Sequence, residues 1–275
     1  MIPLTESSNV FLCGPVRSGK TYQLEQWLKA LNRYVRFDYT GETRKLAGQN
    51  IEHIHTPREL LDRLEKNPYY FRIAYHPGKA VMEHYKWCQR AVWMLDTPRW
   101  IVIDEFHRVC PQRTVIDEDV EAALRLARHN LLGIIGASQR PQDVAKLFID
   151  ACLMCVVFRS QEENYLNACR GHWGSDVGDA VENLRPLVYR DTTGQVKQLQ
   201  QCVIVTRDGQ EPRVYDYATD STITVTEFLE GKSHPHVTTE ETCDYADEPD
   251  PLRTDMDPQG ARDANVPDGT GIPDE

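Results

Sequence analysis

The pattern of apolar and polar residues changes period repeatedly along the chain, and it predicts alternating strands and helices. Residues 9–13, NVFLC, form a short apolar run that predicts a buried strand. After a glycine-containing loop, Leu24, Trp27, Leu28 and Leu31 recur at helical spacing and predict one apolar helix face. Further strands are predicted at 34–40, 51–55, 69–75, 100–105, 131–139 and 152–159, and helices at 57–67, 79–94, 117–130 and 141–149. This rhythm favours an α/β fold with a mainly parallel sheet covered by helices on both faces.

The pattern changes at about residue 186. Residues 186–199 predict a hairpin around Asp191–Gly194, and residues 202–217 predict a second hairpin with Asp208 and Gly209 at its turn. We expect these strands to form a β-rich addition at an edge of the sheet. From residue 233 the periodicity ends and Pro, Asp, Glu, Thr and Gly dominate, which predicts a disordered acidic tail. The predicted organisation is a core over 1–185, an extension over 186–232 and a tail over 233–275.

The net charge of −11 belongs almost wholly to that tail. Residues 233–275 contain 12 acidic side chains and only two arginines, whereas the remaining residues hold 29 basic and 30 acidic side chains. A nearly neutral body can still carry a local basic groove, so the average charge neither supports nor excludes a nucleic-acid partner. The tail could shield such a groove or dock on a basic partner, but a solvated terminus without a role is the commoner case.

Composition and cysteine use point to the cytoplasm. There is no run of about 18 apolar residues to cross a membrane, and the N-terminus lacks a basic start followed by an apolar core. The eight cysteines are scattered, so we expect free thiols. Cys152 and Cys155 have a metal-ligand spacing, but they lie in an apolar run with no second pair, which favours a plain buried strand.

The most informative segment is Gly14-x-x-x-x-Gly19-Lys20-Thr21. Glycines allow successive backbone N–H groups to point at phosphate oxygens, and the helix that follows turns its positive end to the same anion. The whole loop, Gly14, Pro15, Val16, Arg17, Ser18, Gly19, Lys20 and Thr21, is therefore predicted to hold a nucleotide's phosphates. Lys20 is predicted to reach the β- and γ-phosphates, and the Thr21 hydroxyl to bind Mg²⁺.

Two acids end the apolar strand WIVIDE. We expect Asp104 to hold Mg²⁺ directly or through water, and Glu105 to polarise a water for attack on the γ-phosphate. Two solvated acids at a strand end are the plain alternative. A guanine-reading Asn-Lys-x-Asp segment is missing from the sequence, and a small-molecule kinase has no use for a water-activating Glu. ATP hydrolysis is the chemistry that this combination favours.

Gln139 follows the apolar run LLGIIGAS and is expected at the carboxyl edge of the sheet, where ligands bind in open α/β folds. Its amide could hydrogen-bond the γ-phosphate and the attacking water, and so report the nucleotide state. A polar residue that only caps the strand is the alternative.

The segments GPVRSGKT, WIVIDE, RLARHNLLGIIGASQRPQDV and CVVFR, over about residues 9–160, together resemble the FtsK–HerA superfamily of DNA-pumping ATPases. The compact length looks most similar to genome-packaging ATPases of tailless, membrane-containing icosahedral viruses. The resemblance implies a RecA-like P-loop core, ATP and Mg²⁺ as ligands, and a homo-oligomeric ring, often a hexamer, that moves double-stranded DNA. It also implies an arginine finger from the neighbouring subunit.

Arg128 occupies the family's finger position, eleven residues before Gln139, although a helix-end cation favoured by the helix dipole is its alternative reading. Arg140 and Arg159 are second candidates. Arg125 is expected to pair with Glu121 on the same helix. For DNA contact, the loop after Glu105 offers Arg108, Gln112 and Arg113.

Three other functions stay open at this point. IDEFHRVCP also resembles the zonula occludens toxin-like assembly or export ATPases of filamentous phages, which usually carry a membrane helix. A segregation motor of the same superfamily and a nucleotide-binding scaffold without sustained turnover are the others. For a packaging ATPase, the partners would include a capsid vertex or membrane-associated packaging proteins, and the site of action would be the host cytoplasm or the virion.

Overall fold

The computed structural model describes residues 2, 4, 8–39, 50–78, 81–112, 116–190 and 196–232. All of them belong to one compact unit, Met1–Val237. The predicted tail, 233–275, lies outside the described residues. The predicted boundaries at 185 and 232 stay predictions.

Strands and helices alternate through the first two thirds of the chain, as the sequence pattern predicts. In chain order the elements are β1 (Asn9–Cys13), α1 (Lys20–Ala30), β2 (Arg33–Phe37), β3 (Glu52–Ile54), α2 (Pro57–Lys66), β4 (Phe71–Tyr75), α3 (Val81–Trp93), β5 (Arg99–Ile103), α4 (Glu118–Leu126), β6 (Leu132–Ser138), α5 (Lys146–Ala151), β7 (Met154–Phe158), α6 (Glu163–Trp173) and α7 (Ser175–Asn183). Short 3₁₀ turns cover Phe106–Arg108, Ala127–Asn130 and Pro141–Asp143.

The described strands form a sheet in the order β3-β4-β2-β5-β6-β1-β7, and every neighbouring pair in this part is parallel. Their carboxyl ends therefore share one edge. β6 lies between β1 and β5, so the residue after β6 stands between the glycine loop and the two acids after β5. This topology brings the predicted site residues to one place.

The C-terminal strands extend the same sheet beyond β7 in antiparallel pairing, which confirms the predicted edge addition. They are β8 (Pro186–Arg190), β9 (Val196–Thr206), β10 (Arg213–Asp216) and β11 (Ser221–Thr224), and a short helix, α8 (Val225–Leu229), follows. β9 pairs with β7, β8 and β10, and β10 pairs with β11. Gly209 has φ 81° in the connection from β9 to β10, where the sequence predicts a turn.

Two apolar clusters fill the two sides of the sheet. Alternate residues of β1 point to opposite sides: Phe11 and Cys13 join one cluster, and Val10 and Leu12 join the other. The apolar face of α1 completes the second cluster, whereas α2 to α7 contribute to the first. All five residues of β1 are buried, which explains why this strand reads as a continuous apolar run.

One prediction needs correction in this region, and two helices were missed. The single helix predicted over 141–149 is split, because Val144 forms a β-bridge with Pro111 and Ala145 N–H donates to Cys110 O at 2.9 Å. Helices α6 and α7 were not predicted. Tyr165, Leu166 and Cys169 are the buried face of α6, and their spacing is a signal that the pattern analysis missed.

Candidate nucleotide-binding site

The glycine loop runs from the end of β1 to the start of α1. Gly14 N–H donates to Ser138 O at 3.2 Å and so ties the loop to the end of β6. Ser18 N–H donates to Pro15 O at 3.2 Å and closes the loop on itself. Gly19 has φ 100° at the N-cap of α1, and no side chain caps this helix end. The first N–H groups of α1 therefore remain available to an anion, as the sequence predicts.

Glycine is required at position 14 for steric reasons. A Cβ there would lie 2.5 Å from Ser18 Oγ and 2.6 Å from Phe158 Cβ. Ser18 is buried, and among the described residues its Oγ has no hydrogen-bond partner. The backbone of the loop is thus packed against β7 on one side, with an unsatisfied hydroxyl inside it, and these features fit a bound phosphate chain.

Lys20 is held at the loop that it is predicted to serve. Its ammonium donates to Gly14 O and to Pro15 O, the latter at 2.8 Å. Burial lowers the pKa of Lys20, and the negative charges of Asp104 and Glu105 oppose that shift. Lys20 therefore lies within electrostatic reach of both acids.

Asp104 is paired with an arginine that the sequence analysis did not single out. Arg36, on β2, donates to Asp104 Oδ2 from Nε at 3.1 Å and from Nη2 at 2.5 Å. Its side chain is 11% exposed, against 34% for Asp104. Burial lowers the pKa of Arg36, but the Asp104 carboxylate outweighs this and raises it overall. The available sequence signal was a charged residue between the apolar residues Val35 and Phe37 of this strand.

Glu105 is held by one side-chain hydrogen bond and lies close to a second side chain. Gln139 Nε2 donates to Glu105 Oε1 at 2.9 Å, and His107 Nδ1 lies 3.4 Å from Glu105 Oε2. The Glu105 backbone is left-handed, with φ 55°, a conformation that non-glycine residues adopt at a cost and that occurs often at functional sites. The predicted base and the predicted sensor are therefore in direct contact, and His107 is a further member of the group that sequence reasoning missed.

The candidate finger, Arg128, follows α4 in the chain. The backbone at Arg128 lies in the 3₁₀ turn Ala127–Asn130, and its side chain lies outside the described residues. Two other arginines singled out from the sequence form ion pairs. Arg125 pairs with Glu121 at 2.8 Å, as predicted, and Arg140 pairs with Glu162 at 3.2 Å.

The predicted DNA-contact loop borders an open cleft of about 770 Å³. His107, Pro111, Gln112, Arg140, Gln142, Asp143, Glu162 and Asn164 line the cleft. Arg108 lies over the Tyr39 ring at 5.4 Å, and Arg113 lies outside the described residues. The lining includes Gln112, a predicted DNA contact, and Arg140, a second candidate for the arginine finger.

Cys152 and Cys155 are both buried free thiols. Cys155 lies within β7, as the buried-strand interpretation predicts, whereas Cys152 is the C-cap of α5 and precedes the strand. In the part of the chain that the structure describes, no group of three metal-ligating side chains comes together. Among the same residues, none of the helices is both long and apolar enough to span a bilayer.

Comparison with known proteins gives similarity at the level of structure. No protein-family model matches this chain, and no curated protein matches it. The genome packaging NTPase B204 from Sulfolobus turreted icosahedral virus 2, in complex with sulfate, superposes with a TM-score of 0.61 at 16% identity, over 77% of this chain and 96% of that chain. Its complex with ATP-gammaS gives a TM-score of 0.57 at 16% identity, over 80% and 97%.

B204 from Sulfolobus turreted icosahedral virus is described as the DNA-packaging ATPase. It superposes with a TM-score of 0.59 at 18% identity, over 77% of this chain and 98% of that chain. The N-terminal domain of zonular occludens toxin from Neisseria meningitidis superposes with a TM-score of only 0.38 at 12% identity, over 74% of this chain and 85% of that chain. The predicted RecA-like α/β architecture is confirmed: this chain has the P-loop ATPase fold of the viral packaging NTPases.

Proposed function

We propose that this protein hydrolyses ATP to translocate double-stranded DNA, and that its task is viral genome packaging. One observation carries the proposal: the phosphate loop with Lys20, the acid pair and Gln139 meet at one edge of the sheet, with Gln139 hydrogen-bonded to Glu105 at 2.9 Å. A hydrolytic motor needs three kinds of group: one that binds phosphate, one that activates water, and one that contacts both the γ-phosphate and the attacking water.

The residues of the loop divide the binding of ATP and Mg²⁺ among them. The backbone from Gly14 to Gly19 and the uncapped start of α1 would hold the phosphates, and Lys20 would neutralise their terminal charge. Thr21 and Asp104 would hold Mg²⁺ through oxygen atoms, the ligands this ion prefers. When bound, Mg²⁺ supplies charge neutralisation at the developing phosphate oxygens.

Glu105 would act as the general base. Its Oε1 accepts the Gln139 amide, so the direction of the carboxylate is set before any water arrives. A carboxylate held in this way can accept a proton from the attacking water, while Gln139 senses whether the γ-phosphate is present. Movement of Gln139 would then be passed to the segment that follows it, near Gln112 and Arg140.

Translocation of DNA requires a ring, and the proposal places Arg128 at the junction of two subunits. A guanidinium from the neighbour, set on the γ-phosphate, can raise the rate by about 10³-fold or more. The two B204 proteins are described as a genome packaging NTPase and a DNA-packaging ATPase, and this description supports DNA as the substrate here. A hexameric ring docked on a capsid vertex, or on membrane-associated packaging proteins, would complete the machine.

The decisive experiment is steady-state ATP hydrolysis by the full chain, with and without long double-stranded DNA, beside Lys20→Ala. Turnover that DNA stimulates and that Lys20→Ala abolishes is the expected result. Turnover indifferent to DNA would favour the export or assembly function. Absence of turnover from an assembled ring would favour a nucleotide-binding scaffold.

The finger can be tested separately. Arg128→Ala is expected to lose turnover, and mixed rings that combine it with Lys20→Ala subunits are expected to regain part of it. Such rings pair an intact arginine with an intact phosphate loop at some interfaces. Failure of this rescue in rings that still assemble would exclude an arginine acting across the interface.

A further inference from the structure

The topology indicates on which side of the loop the base of a bound nucleotide must lie. Asp104, Glu105 and Gln139 follow β5 and β6, on one side of β1. The terminal phosphate must face these groups. Because a nucleotide is a linear arrangement of base, sugar and phosphates, the base leaves the loop on the opposite side of β1. That side is formed by β7, β9 and β10.

A cluster of aromatic rings occupies this opposite side. Tyr22 follows Thr21 directly on α1, and its ring packs edge-to-face with Tyr217, with 6.0 Å between centroids. Tyr217 follows β10 and stacks on Phe158 of β7 at 6.3 Å. Tyr215 meets Tyr217 edge-to-face at 4.8 Å. The rings thus run from the start of α1 into the C-terminal extension.

The inner members of the cluster are fixed. Phe158 is fully buried, and its side chain limits the space at Gly14 and Gly19. Tyr217 donates from its hydroxyl to Gln23 Oε1 at 2.9 Å, and burial raises the pKa of Tyr217 well above its ordinary value. The phenol of Tyr217 therefore stays neutral and keeps its hydrogen bond at any physiological pH.

Tyr22 differs from the other rings because it is 49% exposed. Exposing half of a tyrosine forgoes part of the stabilisation that its burial would give. The Tyr22 ring packs against Tyr217 on one side, whereas about half of the residue's surface remains exposed, one residue beyond the predicted Mg²⁺ ligand. A half-exposed aromatic ring this close to the phosphate loop is suited to stacking with a nucleobase.

We propose that Tyr22 is the stacking surface for the purine base of the bound nucleotide, and that Tyr217 holds it in place. The C-terminal extension is then part of the nucleotide site, in addition to closing an edge of the sheet. The inference rests on the proposed function, because it assumes a nucleoside triphosphate in the loop.

The test compares ATP with inorganic tripolyphosphate, which has the phosphates and no base. Affinities of both for the full chain are measured by calorimetry with Mg²⁺ present. Tyr22→Ala is expected to weaken ATP binding by roughly 5- to 100-fold, the range for loss of one base–aromatic stack. Tripolyphosphate binding is expected to stay unchanged, and Tyr22→Phe is expected to bind both ligands as the natural chain does.

Two further variants sharpen the result. Tyr69, which is 71% exposed before β4, is the matched control: Tyr69→Ala is expected to change neither affinity. Tyr217→Leu is expected to weaken ATP alone, by less than Tyr22→Ala. Unchanged ATP affinity in Tyr22→Ala, or an equal loss for both ligands, would overturn the stacking role. If the natural chain binds neither ligand, the proposed function itself fails.

Discussion

The ion pair between Arg36 and Asp104 gives the sharpest prediction about the free protein. Arg36→Met removes the guanidinium but keeps most of the aliphatic stem, so packing around β2 is largely preserved. Asp104 then loses both hydrogen bonds to Oδ2, from Nε at 3.1 Å and Nη2 at 2.5 Å. It would remain two-thirds buried beside β5 with no cation in contact.

The magnitude follows from the exposure of the two partners. Removing one member of a buried pair costs about 3–5 kcal/mol, and removing one member of an exposed pair costs about 0–1 kcal/mol. Arg36 is 11% exposed and Asp104 34%, so water can solvate the remaining carboxylate in part. We therefore expect the free energy of unfolding to fall by about 1–3 kcal/mol in Arg36→Met.

The assay is urea unfolding of the full chain without nucleotide or Mg²⁺, for Arg36→Met, Asp104→Asn and the double variant. If the loss of stability in Arg36→Met comes from breaking the ion pair, this substitution must lower the free energy of unfolding by less when residue 104 is already Asn. The coupling free energy is expected to be about 1–2 kcal/mol. Effects that add to within about 0.5 kcal/mol would refute the reasoning, because independent sites behave in that way.

Three further predictions concern activity, packing and pH. Glu105→Gln is expected to bind ATP normally, but its turnover rate is expected to fall by about 10²- to 10⁴-fold because the attacking water loses its base. A near-normal turnover rate would mean that another group is the base. Gly133→Ala is expected to destabilise the fold by about 1–3 kcal/mol in urea, because its Cβ would lie 2.3 Å from Trp100 Cε3. Gly171→Ala is the control, with no atom within 4 Å, and is expected to be neutral or stabilising. Burial lowers the pKa of His172 from its ordinary value of 6.5, so the unfolded chain binds a proton more readily and the free energy of unfolding falls as the pH drops below about 6.5. His172→Gln is expected to reduce this loss of stability, measured as the difference between the urea midpoints at pH 7.5 and pH 5.5. An unchanged difference would contradict the prediction.

Most of the site could be predicted from the sequence because its residues lie at strand ends. Three apolar runs are each followed by site residues: the first by the glycine loop, the second by Asp104 and Glu105, and the third by Gln139. Each group is therefore expected at the carboxyl edge of a parallel sheet, whatever the order of the strands. The strand order itself could not be predicted, since each parallel connection leaves several neighbours open. Only the structure shows that β6 separates the loop from the acids.

The groups that sequence reasoning missed are those that depend on pairing across the sheet. Arg36 contacts Asp104 because β2 is the neighbour of β5, although the two residues are 68 positions apart in the chain. Tyr217 contacts Gln23 across 194 residues, through a strand addition whose place in the sheet follows from β9 pairing with β7. Single-sequence patterns report local periodicity: they can mark Arg36 as a charged residue within a strand, but they do not identify the distant partner of either contact.

The strand β6 has a mechanical consequence for the proposed ring. Its amino end follows the turn Ala127–Asn130, which contains the candidate finger, and its carboxyl end leads directly into Gln139. Seven residues in extended conformation make a stiff rod of about 23 Å between these two points. Each subunit would read its own nucleotide at one end of the rod and act on its neighbour's nucleotide from the other. A head-to-tail ring built in this way could pass the state of one site to the next through a single strand, with little need for large domain rotations.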